Sequence, residues 1–236
     1  MRIAIHQPDY LPWCGFFYKM ARVDLFVILD DCGFSQRRAT HRVQIRRPDS
    51  VRWLTVPVGK TAVPIIELVP DPKQKWQADH WNALHGAYHA APYWREVTAW
   101  LKPLLLRDGA RLADFNIECL RAIAQILGIQ TPLARTSELP PAVKSGLGTS
   151  GTRVVNICRH FRAKTYFSGH GARAYNDEAA FAAAQVQLEY SDFVHPTYPQ
   201  TGPDFIPGLS VIDFLANRGT DYAAAFFSCL PPYKSL

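Results

Sequence analysis

Residues 2–31 read RIAIHQPDYLPWCGFFYKMARVDLFVILDD, and the fold turns on how this stretch is parsed. RIAI is a short apolar run that ends in a polar, proline-bearing loop, HQPDYLP. GFFYKMAR has one or two turns of helical spacing, with Phe16, Phe17 and Met20 on the apolar side. VDLFVIL is a second β-rich run, closed by Asp30 and Asp31. Strand, short helix, strand is a βαβ unit, which implies a parallel sheet and a right-handed crossover.

Outward from this unit, VRWLTVPV (51–58) reads as another strand. TAVPIIELVP (61–70) reads as one more, broken by Pro64. Residues 73–127 change to helical spacing, seen best in the stripe Leu112, Phe115, Cys119, Ile123 and Ile126. ELPPAVKSGLGTSG (138–151) is the clearest loop or linker. Alternation then resumes: a helix over 152–163, a strand over 164–168, a loop over 169–176 and a helix over 177–185. A strand over 186–193, a proline-rich loop over 194–208 and a helix ending at Gly219 complete it. The expected fold is α/β, with a mostly parallel sheet in a Rossmann-like, nucleotide-binding-like three-layer core and a helical insertion. Its divisions are 1–72 as the N-terminal half of the core, 73–130 as the helical insertion or subdomain, and 131–236 as the C-terminal half.

The chain has 236 residues, 48% of them hydrophobic and 19% charged, which suits a globular core rather than disorder. Net charge is +6 and the basic residues are scattered. That favours an anionic small molecule or an acidic protein, and it lacks the concentrated patch of a nucleic-acid binder. No stretch reaches transmembrane length, and Ile3–Ile5 is too short for a signal sequence. Five widely spaced cysteines with no CxxC argue against a disulfide framework and a zinc site. A reduced, cytoplasmic protein with no membrane insertion is expected.

In an open parallel sheet, ligands sit beyond the carboxyl ends of the strands. Four polar and aromatic loops follow predicted strands: His6–Trp13, Asp30–Arg42, Ser168–Tyr175 and His195–Gln200. Each residue also has a plainer reading. His6 can cap its strand, and Gln7 can satisfy buried carbonyls. Trp13 can belong to the core, Asp30 and Asp31 can cap a turn, and Gly169 and Gly171 can shape one. Ser210 and Asp213 have capping-box spacing. His80, His85 and His89 lie near helical spacing, without the pattern of a metal site. Cys14 reads as a small buried hydrophobe rather than a nucleophile.

IAIHQPDYLPWCGFFYKMARVDLFVILDD, FSQRRATHRVQI, WLTVPV, FSGHGARAY, HPTYPQ and FIPGLSVIDFLANRG together resemble the WbqC-like protein family, from the first strand to Gly219. Gln7, Pro8, Tyr10, Pro12, Gly15, Asp30, Asp31, Phe34, Arg42, Ile45, His195, Pro196, Phe205, Pro207, Ser210 and Asp213 fall on its pattern. Gly33, Gln36 and His41 stand where the family commonly has Gln, Lys and Asn. Cys14 stands where it has an aliphatic residue. The resemblance implies a bacterial setting among O-antigen, other polysaccharide or natural-product genes, and a suggested glycyl or other aminoacyl transfer onto an amino sugar. From the loop residues, the reaction expected here is amide formation from an activated thioester donor, on CoA or the phosphopantetheine of an acyl or peptidyl carrier protein, with no other cofactor and no metal. The acceptor is a nucleotide sugar or similar amine. His6 or His195 would be the base, oriented by Asp30 or Asp31. Gln7 and the Ser168–Gly171 backbone would supply oxyanion donors, and Arg42 would hold a phosphate. Tyr10, Trp13, Tyr175, Tyr198 and Gln200 would line the site. Two other readings stay open: a nucleotide-dependent enzyme with Mg²⁺ on Asp30 and Asp31, and a non-catalytic binding module.

Overall fold

The computed structural model describes residues 1–48, 50–59, 63–107, 109, 111–144, 150–174 and 176–230, with the backbone alone at Ser150. Five parallel strands form the main sheet: β1 (Arg2–His6), β2 (Leu25–Ile28), β5 (Leu133–Arg135), β6 (Thr165–Ser168) and β7 (Gln187–Tyr190), in the order β5-β2-β1-β6-β7. β1 and β2 run in register from Ile3 opposite Leu25 to His6 opposite Ile28, joined by α1 (Cys14–Ala21). The predicted βαβ unit is therefore the centre of the fold. The chain moves from β1 outward through β2 to β5, then returns to the far side of β1 for β6 and β7. This reversal makes the carboxyl ends of β1 and β6 the switch point of the sheet, the place where such sheets bind ligands.

Strand alternation sorts the sheet's side chains into two layers of core. Ala4, Phe26 and Ile28 face α1 and the helices α2 (Trp76–Tyr88), α3 (Trp94–Leu105), α4 (Leu112–Ile126), α8 (Val211–Arg218) and α9 (Thr220–Ser228). Ile3, Ile5 and Val27 face α6 (Ser150–His160) and α7 (Glu178–Ala183) through Val155, Ile157, Cys158 and Phe181. The helices of 76–126 share one continuous core with the sheet; Tyr88, Leu101 and Leu120 are fully buried in it. A short helix, α5 (Pro141–Lys144), precedes α6.

Two expected strands take other forms. The 51–58 run does not enter the main sheet. Its residues 51–55, with Ser50, form β4 (Ser50–Thr55), which pairs antiparallel with β3 (Arg42–Arg47) as a separate hairpin. Residues 61 and 62 of the 61–70 run lie outside the described residues; the rest holds a 3-10 turn at Ile65–Glu67, because Pro64 has no donor for a ladder and the N–H groups of Ile65 and Ile66 go to Cys32 O (2.9 Å) and Asp30 O (2.7 Å). β3, β5, α5 and α9 were not anticipated. β5 has only three residues and borders the region read as a linker. Among the described residues, no helix is long and apolar enough to cross a membrane, and all five cysteines are free.

Candidate functional site

The loop after β1 is held in a conformation its residues do not favour. Leu11 has φ +42° and precedes Pro12, a costly setting for a residue with a Cβ. Its surroundings over-determine it. Ser210 Oγ donates to Leu11 O (2.7 Å), Val211 N–H to Pro12 O (2.8 Å) and Tyr10 N–H to Ala39 O (3.0 Å). From α4, the fully buried Asn116 donates to both Pro8 O (2.8 Å) and Thr40 O (2.7 Å), which ties this loop to the one after β2. Gly15 leaves room for the Trp13 indole, whose ring would lie 2.4 Å from any Cβ placed there.

Under that loop lies a cluster of ionisable groups. His6 Nδ1 is 3.1 Å from Gln7 O and 3.5 Å from Asp9 Oδ2, and its ring meets the Phe16 ring edge-on at 4.9 Å. The contact with Gln7 O assigns the proton to Nδ1 and leaves a lone pair on Nε2, which has no hydrogen-bond partner among the described residues. The His6 side chain remains 37% exposed. Asp9 and Lys19 are buried, and Lys19 Nζ donates to Ile5 O (3.1 Å). Burial pushes Asp9 up to about 7 against the pull of Lys19 and Arg38. Burial brings Lys19 down to about 7, partly offset by Asp9. Burial, with Lys19 and Arg38 as neighbouring cations, brings His6 down to about 3. Three displaced groups, within a few ångströms of one another at the end of the central strand, make this the candidate site.

Beside it, the ends of β2 and β5 carry a second network. Asp30 is fully buried. Its carboxylate accepts from Arg135 Nε (2.7 Å), Ser137 Oγ (2.7 Å), Ser137 N–H (2.9 Å) and Thr136 Oγ1 (3.1 Å). Burial alone would raise its pKa, but the bonds from Ser137 and Arg135 outweigh it and hold the carboxyl below its ordinary value. With both oxygens engaged, Asp30 fixes the loop, and no side of it is left to orient His6 or to bind a cation. Asp31 pairs with Arg153 and accepts from Thr136. Gln7 Nε2 donates to Cys32 Sγ (3.1 Å) and its Oε1 accepts from Thr40 (3.1 Å), so one amide hydrogen stays uncommitted. Cys32 is held above its ordinary value, first by burial and only weakly by Asp31.

The remaining predicted residues divide. Ser168 is buried at the end of β6, its Oγ accepting from Asn176 (3.0 Å), while Gly169 and Gly171 follow it with open space at their Cα positions. These three follow the carboxyl end of β6, at the same sheet edge as His6 and Gln7. Tyr175 lies outside the described residues. Tyr10 is a correction: it is fully buried, hydrogen-bonded to His80 (2.8 Å) and stacked on Phe115 at 6.2 Å, so it joins the loop to the helical block rather than meeting a ligand. Arg42 lies on the hairpin, bonded to Arg37 O (3.1 Å) and 4.5 Å from the centre of the Trp53 ring.

The His195–Gln200 loop also departs from expectation. His195 is ringed by Trp13 (6.2 Å), Phe193 (5.7 Å), Tyr198 (6.1 Å) and Phe205 (5.5 Å). Its Nδ1 meets Pro196 O at 3.0 Å, and Nε2 is buried without a partner, so neither nitrogen is open to a substrate proton. Tyr198 Oη and Gln200 Nε2 both donate to Asp213 Oδ2 at 2.8 Å, anchoring the loop to α8. Trp13, 42% exposed, covers this aromatic box at the start of α1. Ser210 caps α8 through Ile212 N–H (3.3 Å), but Asp213 turns to Tyr198 and Gln200 instead of closing a capping box. Cys14 is buried with its thiol pushed far up by that burial, as its hydrophobic reading required.

Sequence reasoning missed Asp9, Lys19, Arg153, Thr136 and Ser137 as members of these networks. Lys19 did leave a signal: it lies in FFYKMA, three residues past Phe16, on a helix whose residues Cys14–Met20 are all buried. Arg153 left none, because its partner Asp31 is 122 residues away.

A sequence profile of the WbqC-like protein family matches residues 7–225. An uncharacterized protein of Mycobacterium tuberculosis, Rv1507c, is 33% identical over 225 residues, spanning 93% of this chain and 95% of its own. No solved structure gives a significant match.

Proposed function

The chain belongs to the WbqC-like protein family, and we propose that it is a transferase that acylates the amine of a nucleotide-linked substrate. The observation that carries this reading is the His6–Asp9 pair over buried Lys19, at the sheet edge where the strand order reverses. Arg38, which lies within electrostatic reach of both His6 and Asp9, supplies positive charge for a phosphate. The donor is an acyl or aminoacyl thioester on CoA or a carrier protein's phosphopantetheine.

In the proposed step the amine nitrogen attacks the thioester carbonyl, and His6 Nε2 takes the proton that the nitrogen sheds. The C–N bond forms, the C–S bond breaks, and the imidazolium returns the proton to the leaving thiolate. His6 must be neutral to begin, and its low pKa ensures that. It must also tolerate the positive charge it acquires. Asp9, 3.5 Å from Nδ1, ionises above about 7 and then stabilises the imidazolium. The free N–H of Gln7 is a candidate donor to the oxyanion. Engagement of both Asp30 oxygens argues against Asp30 and Asp31 as a Mg²⁺ pair, and so against the nucleotidyl-transfer alternative.

The test is incubation with a panel of acyl and aminoacyl thioesters and nucleotide-linked amino sugars, followed by mass spectrometry of the small molecules. The expected product is the acceptor plus one acyl group, absent with His6→Gln. Thermal shifts with nucleotide sugars but no amide product from any pair would leave a binding module and sink the transferase reading.

A further inference from the structure

We propose that the pocket between the β3–β4 hairpin and α2 binds the phosphate groups of a small phosphorylated molecule, at a site separate from the carboxyl edge of the main sheet. The pocket has a volume of about 390 Å³ and is lined by Arg46, Arg47 and Arg52 from the hairpin and by Asn82, Ala83 and Gly86 among the α2 residues. That size suits a small ligand. Among the described residues, no acidic one lines it.

The hairpin register brings the arginines together. Ile45 pairs with Arg52 and Arg47 with Ser50, so side-chain alternation puts Arg47 and Arg52 on one face of the hairpin, around Ile45. Both are exposed, and neither forms an ion pair among the described residues. Asp79, one turn before Ala83 on α2, lies close enough to His80 to act on it, as Arg52 does, yet makes no bridge to Arg52. Arg46 is 2% exposed; its Nε and Nη2 donate to Thr201 O and Pro48 O, while Nη1 is buried without an acceptor. On the α2 side, Ala83, Gly86 and Ala87 are small, and a Cβ on Gly86 would meet nothing within 4 Å. Guanidinium forks grip phosphate oxygens two at a time, and Arg47 and Arg52 present two of them on one face of the hairpin, while Arg46, on the other face, is held by the carbonyls of Thr201 and Pro48. Arg47 is five residues along β3 from Arg42, roughly 17 Å in an extended strand, so the pocket lies at the hairpin's far end.

Inorganic pyrophosphate is the probe, titrated calorimetrically at ~150 mM salt so that diffuse attraction is screened. Arg47→Ala with Arg52→Ala is expected to weaken a saturable wild-type site by about tenfold or more. Arg47→Lys with Arg52→Lys keeps the charge but loses the forks, and is expected to weaken it about threefold or more. Arg159→Ala with Lys164→Ala, an equal loss of exposed charge elsewhere, should leave binding intact. Absence of saturable binding, survival in the alanine pair, wild-type affinity in the lysine pair, or equal loss in the distant pair would each overturn the proposal.

Discussion

Lys19 occupies a helix in which every residue from Cys14 to Met20 is buried, and the fold bears the cost of that amine. The unfolded chain holds the Lys19 proton up to its ordinary value of 10.5, the folded one only to about 7. Stability attributable to Lys19 therefore rises with pH between those values, and the full cost is present below 7. Lys19→Met should raise the melting temperature at pH 6 by about 5 °C or more, and by much less at pH 10. Equal shifts at both pH values would contradict this. Asp9 works in the opposite sense. Its folded value of about 7 exceeds the ordinary 3.8, so its contribution is favourable at low pH and is lost as pH rises to 7. In catalysis the same titration predicts that the rate rises with pH through about 7, and that Asp9→Asn removes this limb. A limb that survives in Asp9→Asn would assign the titration to another group. His6, held to about 3, contributes no limb near the 6.5 of free imidazole.

At the scale of elements, the first loop is kept in place by its neighbours. Asn116 from α4 satisfies two buried carbonyls at once, Pro8 O and Thr40 O. Asn116→Ala leaves both without that donor and should cost about 2–4 kcal/mol in urea unfolding. It should also slow turnover by loosening the loop that presents His6. The long proline-rich segment has a comparable pin. Gly202 sits at φ +100°, where a Cβ would lie 2.2 Å from Pro48 O and 2.3 Å from Arg46 Nη2. Gly202→Ala should cost about 2 kcal/mol or more; a loss within 0.5 kcal/mol, the range of an ordinary surface change, would mean the segment yields. The βαβ unit was readable because its apolar periods are clean. The hairpin was misread because VRWLTVPV has strand chemistry wherever it pairs, and nothing local distinguishes a separate ribbon from a sheet. β5 escaped because three residues carry no period.

Across the whole molecule, the parallel sheet and the placing of His6, Gln7 and Ser168–Gly171 at one edge followed from strand and loop patterning alone. What did not follow were the partners that decide each residue's role. Asp30 is silenced by Arg135 and Ser137, and His195 is enclosed by Trp13, Phe193, Tyr198 and Phe205; these contacts join distant parts of the chain. The helices of 76–126 are core for the sheet and buttress for its first loop, so the protein should unfold in a single transition by heat. The central claim is that chemistry occurs at the sheet edge on His6 and not in the aromatic box on His195. The measurement that decides it is the rate of amide formation by His6→Gln and His195→Gln, assayed side by side with the same thioester and amine. The account predicts a loss of about 10²–10⁴-fold for His6→Gln and at most a few-fold for His195→Gln; the reverse order would contradict it.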